Sequence, residues 1–226
     1  MTAIGWSARI RRHAPALAGL AIFFAFVAPV LAPGVQLYYR DTGRLYYPVK
    51  LYIAQALAHG RIAWWDSMTE AGLSLLGQVT PGLLHPFTLL YAVLPFDLAF
   101  KLNHLAGLLL GGIGAWRLAR RLGASPWAAL AGAVAYGGSG YLVSMADSNL
   151  PYALGAGMLP IAIDGLVGFL EQRTSLRLLW AAAALALVGY GGDPQSMWFA
   201  GLIGGAWAVA AAPARRDGAA RCAVPG

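Results

Sequence analysis

The sequence predicts an all-α fold: a polytopic transmembrane helix bundle of about six spans, with interfacial helices in a long first external loop. Two observations carry this reading. Apolar residues make up 59% of the chain and charged residues only 11%, against about 25% charged in an ordinary soluble domain, so water cannot hold it as a globule. The basic residues fall in short clusters between apolar runs, as loop arginines do at a membrane face. That pattern also sets aside nucleic acid as a partner, despite a formal net charge of +7.

The elements follow in order. Arg9, Arg11 and Arg12 precede an uncharged run that is long enough to span a core of about 30 Å, so the N-terminus reads as a retained first helix and not a cleaved signal. Spans are expected at 14–32, 102–119, 126–144, 150–169, 176–191 and 196–212. The whole chain reads as one domain: 1–32 the first span, 33–101 the external loop, 102–212 five further spans, and 213–226 a cytoplasmic tail. Gly107 with Gly111, and Gly201 with Gly205, repeat at the spacing that lets helix backbones approach. Gly137-Gly138-Ser139-Gly140 is expected inside a span, with no helix start to make a phosphate loop. The single Cys222 allows no internal disulfide.

Residues 81–96, "PGLLHPFTLLYAVLPF", are apolar but broken by Pro81, Pro86 and Pro95. Read as non-crossing, with 82–94 an interfacial helix, they place 11 of the 16 Lys and Arg on the N-terminal side and 6 of the 9 Asp and Glu on the other. This agrees with the positive-inside bias. The multi-pass chain then has a cytoplasmic N-terminus, and Asp41, Asp66, Asp147 and Asp193 share one outer compartment. Asp164, inside the fourth span, is expected to reach water at the inner end.

Within the external loop, Pro48 suits the first turn of a helix over 48–58, closed by Gly60. Trp64 and Trp65 suit interface anchors, and both also suit stacking on a sugar or lipid. Asp41 and Tyr47-Pro48, then Gly60, Trp65, Asp66 and Gly72, then His85-Pro86, come in an order that resembles the YfhO-like bacterial membrane proteins of the GT-C superfamily. Those are polyprenyl-phosphate-dependent glycosyltransferases. The likeness runs over about residues 10–200, although Ser67 stands where that family's stretch has proline.

The resemblance implies an extracytoplasmic site in the bacterial cytoplasmic membrane, a polyprenyl-phosphate sugar donor and a cell-envelope glycan or lipid acceptor. It also implies an aspartate at the outer end of the first span and an acidic residue in the second external loop. Sugar transfer to a hydroxyl needs a base, and the leaving phosphate needs positive charge. On this reading Asp41, partly desolvated at the boundary, is the base and Asp147 the second catalytic carboxylate. Arg40 and Arg44 bind phosphate, with Lys50 and Arg61 behind them. Tyr47, Trp65, Asp66 and Asp193 complete the substrate-binding set. Two roles are open to Asp147: to hold a divalent cation together with Asp41, or to orient the acceptor. Members of that family have more helices, so the chain is expected to be a fragment. The competing function is a non-catalytic scaffold, a transporter-like bundle or an inactive fragment. An enzyme needs Asp41 at a cavity that opens toward lipid; a transporter needs a central pathway.

Overall fold

The computed structural model describes residues 3–67, 69 and 71–222, and the side chains of 13–67, 69 and 71–210. The N-terminal arginines, the end of the sixth expected span and the expected tail thus lie outside the described side chains.

Helices dominate. The first, α1 (Ala3–Leu31), is followed by a π-helical turn (Thr42–Tyr46) that runs directly into α2 (Tyr47–Ala58). A two-residue ladder pairs β1 (Trp65–Asp66) with β2 (Leu73–Ser74), antiparallel. A 3₁₀ turn (Pro86–Leu89) continues as α3 (Leu90–Val93). Then come α4 (Phe96–Arg121), α5 (Pro126–Gly137), α6 (Gly140–Ser148), α7 (Leu150–Glu171), α8 (Ser175–Tyr190) and α9 (Pro194–Cys222).

Among the described residues, three helices are long and apolar enough to cross a membrane: His13–Leu31, Phe96–Arg121 and Leu150–Glu171; Ser175–Tyr190 is a shorter apolar helix. Several expectations change. The span expected at 126–144 is two helices. Ser139 Oγ accepts from the Leu142 N–H and starts α6 afresh, so the Gly137–Gly140 cluster does contain a helix start. The 82–94 helix begins only at Pro86, because His85 is extended and its Nδ1 caps the turn by accepting from Phe87 N. Residues 86–93 reach about 12 Å at 1.5 Å per residue, far short of a bilayer core. The following helix starts at Phe96 and not near 102.

At the centre is α7, which packs on α4, α6, α8 and α9. Glycine makes the α4–α7 seam possible. A Cβ on Gly107 would meet the Ala153 carbonyl, and one on Gly157 would meet the Gly107 backbone, so these helices touch main chain to main chain. On its other side α7 buries Met158, Ile161 and Ala162 against Ala184, Val188 and Ala200. By contrast α1 is mostly exposed; its end is held by Lys101 Nζ, which donates to the Ala32 carbonyl at 2.8 Å.

At the opposite end of the bundle, Asp164 is 1% exposed and does not stand in water as expected. Arg117 and Arg121 reach it at 2.9 and 2.6 Å, and Arg121 also pairs with Glu171 at 2.7 Å. Two guanidinium groups satisfy a carboxylate that hydrocarbon would otherwise leave uncompensated.

Candidate functional site

The site is built where α1 gives way to α2. Arg40 has φ of +50°, a left-handed conformation uncommon outside glycine. It sits immediately before a π-helical turn, another feature that concentrates at functional positions. Arg40 O accepts from Arg44 N at 3.1 Å, closing the turn. Gly43 is required inside it, because a Cβ there would strike the Tyr38 carbonyl and ring. The outcome is that Arg40 and Asp41 project from one short, tightly wound corner.

A cavity of about 320 Å³ opens beside them, lined by Arg40, Asp41, Tyr141, Met145, Ser148, Asn149, Tyr152 and Gln195. Asn149 joins α6 to α7, with extended backbone between the two helices. Its Nδ2 donates to Asp41 Oδ2 at 3.5 Å, a long hydrogen bond, while its Oδ1 accepts from Tyr46 Oη at 3.3 Å. Burial, with the Asp41 carboxylate adding to it, pushes the Tyr46 phenol up to about 12. Tyr46 therefore stays protonated and donates. That fixes the Asn149 amide with its N–H group toward Asp41. Tyr46 itself packs on Leu150 and Leu154 of α7, so the corner leans on the rigid centre.

The expected residues divide. Arg40 and Asp41 share the cavity, and Asp41 is exposed, not partly desolvated. Arg44 lies on the same turn, exposed. Asp147 is half-buried and outside the cavity lining; its place beside Asp41 is taken by Asn149, two residues on. Asp193 is 1% exposed and caps α9: Oδ1 accepts from Gln195 N and Ser196 N, and Oδ2 from Ser196 Oγ. It thereby positions Gln195, which does line the cavity.

The remaining five lie elsewhere. The Tyr47 ring stacks edge-on against Tyr38, Phe96 and Phe100. Lys50 is 2% exposed, its Nζ 5.5 Å from the Tyr91 ring centroid. Arg61 and Trp65 are exposed on the loop. The Trp65 carbonyl accepts from Tyr52 Oη, and Gly72 leaves room for its indole. Asp66 is buried and accepts from Thr69 Oγ1 at 2.6 Å.

Lys50 belongs to a second polar group where α2, the 85–93 segment and α4 meet. Burial lowers its pKa to about 7. His85, buried and near the Lys50 charge, is lowered to about 4 and is neutral. Its Nδ1 accepts from Phe87 N, so the proton is on Nε2. In His104 the Nδ1 faces the Phe100 carbonyl at 2.8 Å, so the proton is on Nδ1. The Nε2 atoms of both rings, Asn103 Oδ1 and Thr42 Oγ1 are buried without a hydrogen-bond partner among the described residues.

Sequence reasoning missed Asn149, Tyr152 and Gln195. The "SN" turn signal at 148–149 was visible, but nothing local pairs it with Asp41, 108 positions away. A divalent ion at Asp41 would find one carboxylate. Asn149 Oδ1 is taken by Tyr46, Ser148 Oγ donates to the Ser144 carbonyl, and among the described residues no three His, Cys, Asp or Glu side chains stand together. This donor set does not fit a resident divalent ion.

Fold and site define a helical protein with helices long and apolar enough to cross a membrane and a polar cavity lined from its helix ends. The chain matches no family model, no curated protein and no solved structure.

Proposed function

We propose that the protein is a membrane glycosyltransferase, or the site-bearing part of one, that transfers a sugar from a polyprenyl phosphate to an acceptor hydroxyl. The site would face the outer side of a bacterial cytoplasmic membrane, beneath six crossings and with the N-terminus inside. The observation that carries this reading is that Arg40 and Asp41, a cation and a carboxylate, both line one cavity.

The chemistry balances on those groups. The acceptor hydroxyl loses its proton to Asp41 as its oxygen bonds the sugar's anomeric carbon. The bond from that carbon to the phosphate oxygen breaks, and its electron pair leaves with the phosphate. Arg40, with Arg44 beside it, binds that oxyanion in the bidentate manner open to guanidinium. Asn149 holds Asp41 through its donated N–H. Tyr152 and Gln195 are placed to hydrogen-bond a sugar. A transporter fits less well, because the backbone seam at Gly107 and Gly157 fills the middle of the bundle.

The test is Asp41→Asn in the full-length protein, with transfer from a radiolabelled polyprenyl-phosphate sugar to membrane acceptors. A base of this kind contributes about 10²–10⁴-fold, and transfer should fall by that order. Transfer at the wild-type rate would reduce Asp41 to a headgroup anchor.

A further inference from the structure

We infer that Lys50 is a carbamate site: its buried amine takes up carbon dioxide, and His85, Asn103 and His104 hold the product. Nothing in this depends on sugar transfer. The chain has two lysines, Lys50 and Lys101, and the fold treats them differently. Lys101 Nζ donates to the Ala32 carbonyl at 2.8 Å. Lys50 Nζ has neither a hydrogen bond nor an ion pair among the described residues; it stands 5.5 Å from the Tyr91 ring centroid. An ammonium without an acceptor is costly to bury, and burial lowers the Lys50 pKa to about 7. Near neutral pH the group is therefore largely an amine with a free lone pair, which is a nucleophile.

Three unpartnered atoms gather around it. His85 Nε2 carries a proton with no acceptor, since Nδ1 accepts from Phe87 N. His104 Nε2 is a lone pair with no donor, since the Nδ1 proton faces the Phe100 carbonyl. Asn103 Oδ1 is a second free acceptor, its Nδ2 donating to the Tyr91 phenol at 3.1 Å. Both imidazoles lie within range of the Lys50 charge, and Asn103 shares Tyr91 with it. All three residues are at most 3% exposed. Buried groups in this condition point to something that pairs with them.

The inventory selects the occupant. A bound anion would face two lone pairs, and a metal ion would meet the proton on His85 Nε2. The electrophile that reaches Lys50 has to be small and uncharged, because the lysine is 2% exposed beside the apolar Ala54, Tyr91 and Phe100. Carbon dioxide is both. The Lys50 nitrogen bonds its carbon, and one C–O π pair becomes an oxyanion. The surplus proton on the nitrogen passes to His104 Nε2. The product has two carboxylate oxygens and one N–H. Facing it are then two donors, His85 Nε2–H and His104 Nε2–H, and one acceptor, Asn103 Oδ1. Carbamate and imidazolium cancel in charge, which burial tolerates better than a lone ion.

The experiment equilibrates the full chain in detergent at pH 8 with ¹³C-bicarbonate and records the carbamate carbonyl by carbon NMR, as the difference between wild type and Lys50→Met. That difference removes Lys101 and the α-amino group. An amine of pKa about 7 is roughly 90% neutral at pH 8, against roughly 0.3% at the ordinary value. The difference signal should therefore fall at least tenfold when dodecyl sulfate unfolds the protein. His104→Phe keeps the ring beside Phe100 and removes the proton acceptor. In folded protein it should lower the signal about tenfold, the loss of one charge-assisted hydrogen bond. No difference signal in the folded wild type means that the cluster holds water only and overturns the inference. A signal that survives unfolding shows ordinary amine chemistry and overturns it too. Full signal in folded His104→Phe overturns the step as written.

Discussion

Replacing Lys50 with methionine should make the protein more stable at neutral pH and remove most of its stability gain in alkali. The lysine is 2% exposed, and its pKa is about 7 instead of the ordinary 10.5 because burial penalises the ammonium. The sign follows from proton counts. Between about pH 7 and 10.5 the unfolded chain holds a proton that the folded chain has lost, so stability rises with pH across that window. At about 1.4 kcal/mol per unit the whole interval is worth up to about 5 kcal/mol. The attraction of the ammonium for the Tyr91 ring at 5.5 Å offsets only about 0.5–2 kcal/mol below pH 7. Methionine keeps the apolar stem and drops the charge. Detergent-solubilised protein would be unfolded with dodecyl sulfate at pH 6.5, 8 and 10, followed by tryptophan fluorescence. Wild type should gain several kcal/mol from the lowest to the highest pH, and Lys50→Met much less. An identical pH slope in both proteins would show that Lys50 titrates near its ordinary value, and the account of its burial would be wrong.

Other perturbations have defined outcomes. His85 adds a second window: its folded pKa of about 4 lies below the usual 6.5, so stability should fall as pH drops from about 6.5 toward 4, and His85→Phe should flatten that limb in the same assay. Asp193→Ala removes the cap of α9 and should cost about 1–2 kcal/mol, with a smaller loss of transfer than Asp41→Asn because only the setting of Gln195 is disturbed. Asp164→Asn takes from Arg117 its carboxylate and leaves Arg121 with Glu171 alone; it should cost roughly 3 kcal/mol, the low end for a buried pair, because Arg117 is 45% exposed and can turn to water. Gly157→Val forces a side chain into the Gly107 backbone; it should abolish monodisperse protein in size-exclusion chromatography, whereas Gly132→Val, in open space, should not.

The long apolar stretches were legible because some twenty uncharged residues leave few alternatives to a membrane helix. The corner at Arg40–Asp41 was legible because charges beside a greasy run stand out. The break at Ser139 was not, since hydropathy averages over the one hydroxyl that starts a helix. The cavity's other walls were not either. Asn149, Tyr152 and Gln195 come from three helix ends, and only packing brings them to Asp41. Lys50 reads as a surface lysine beside Pro48; its burial follows from how α2 lies against Tyr91 and α4, which no local pattern encodes. Asp147 and Asp193 were singled out for their charge and their place in expected external turns. Charge does not reveal that one stands outside the cavity lining and the other caps a helix.

The main-chain contact between Gly107 and Gly157 has a mechanical consequence for the cavity. Asn149 and Tyr152 ride on α7, and α7 is pressed against α4 with no side chain between them to compress or re-rotamerise. Packed backbone has no soft degree of freedom comparable to a χ angle. One wall of the cavity is thus stiff. Whatever opening a substrate requires must come from the opposite wall, the wound turn that carries Arg40 and Asp41. Hydrogen exchange should accordingly be fast across 38–46 and slow across 150–160. A catalytic cycle here would move the charged residues to the ligand and leave the bundle still.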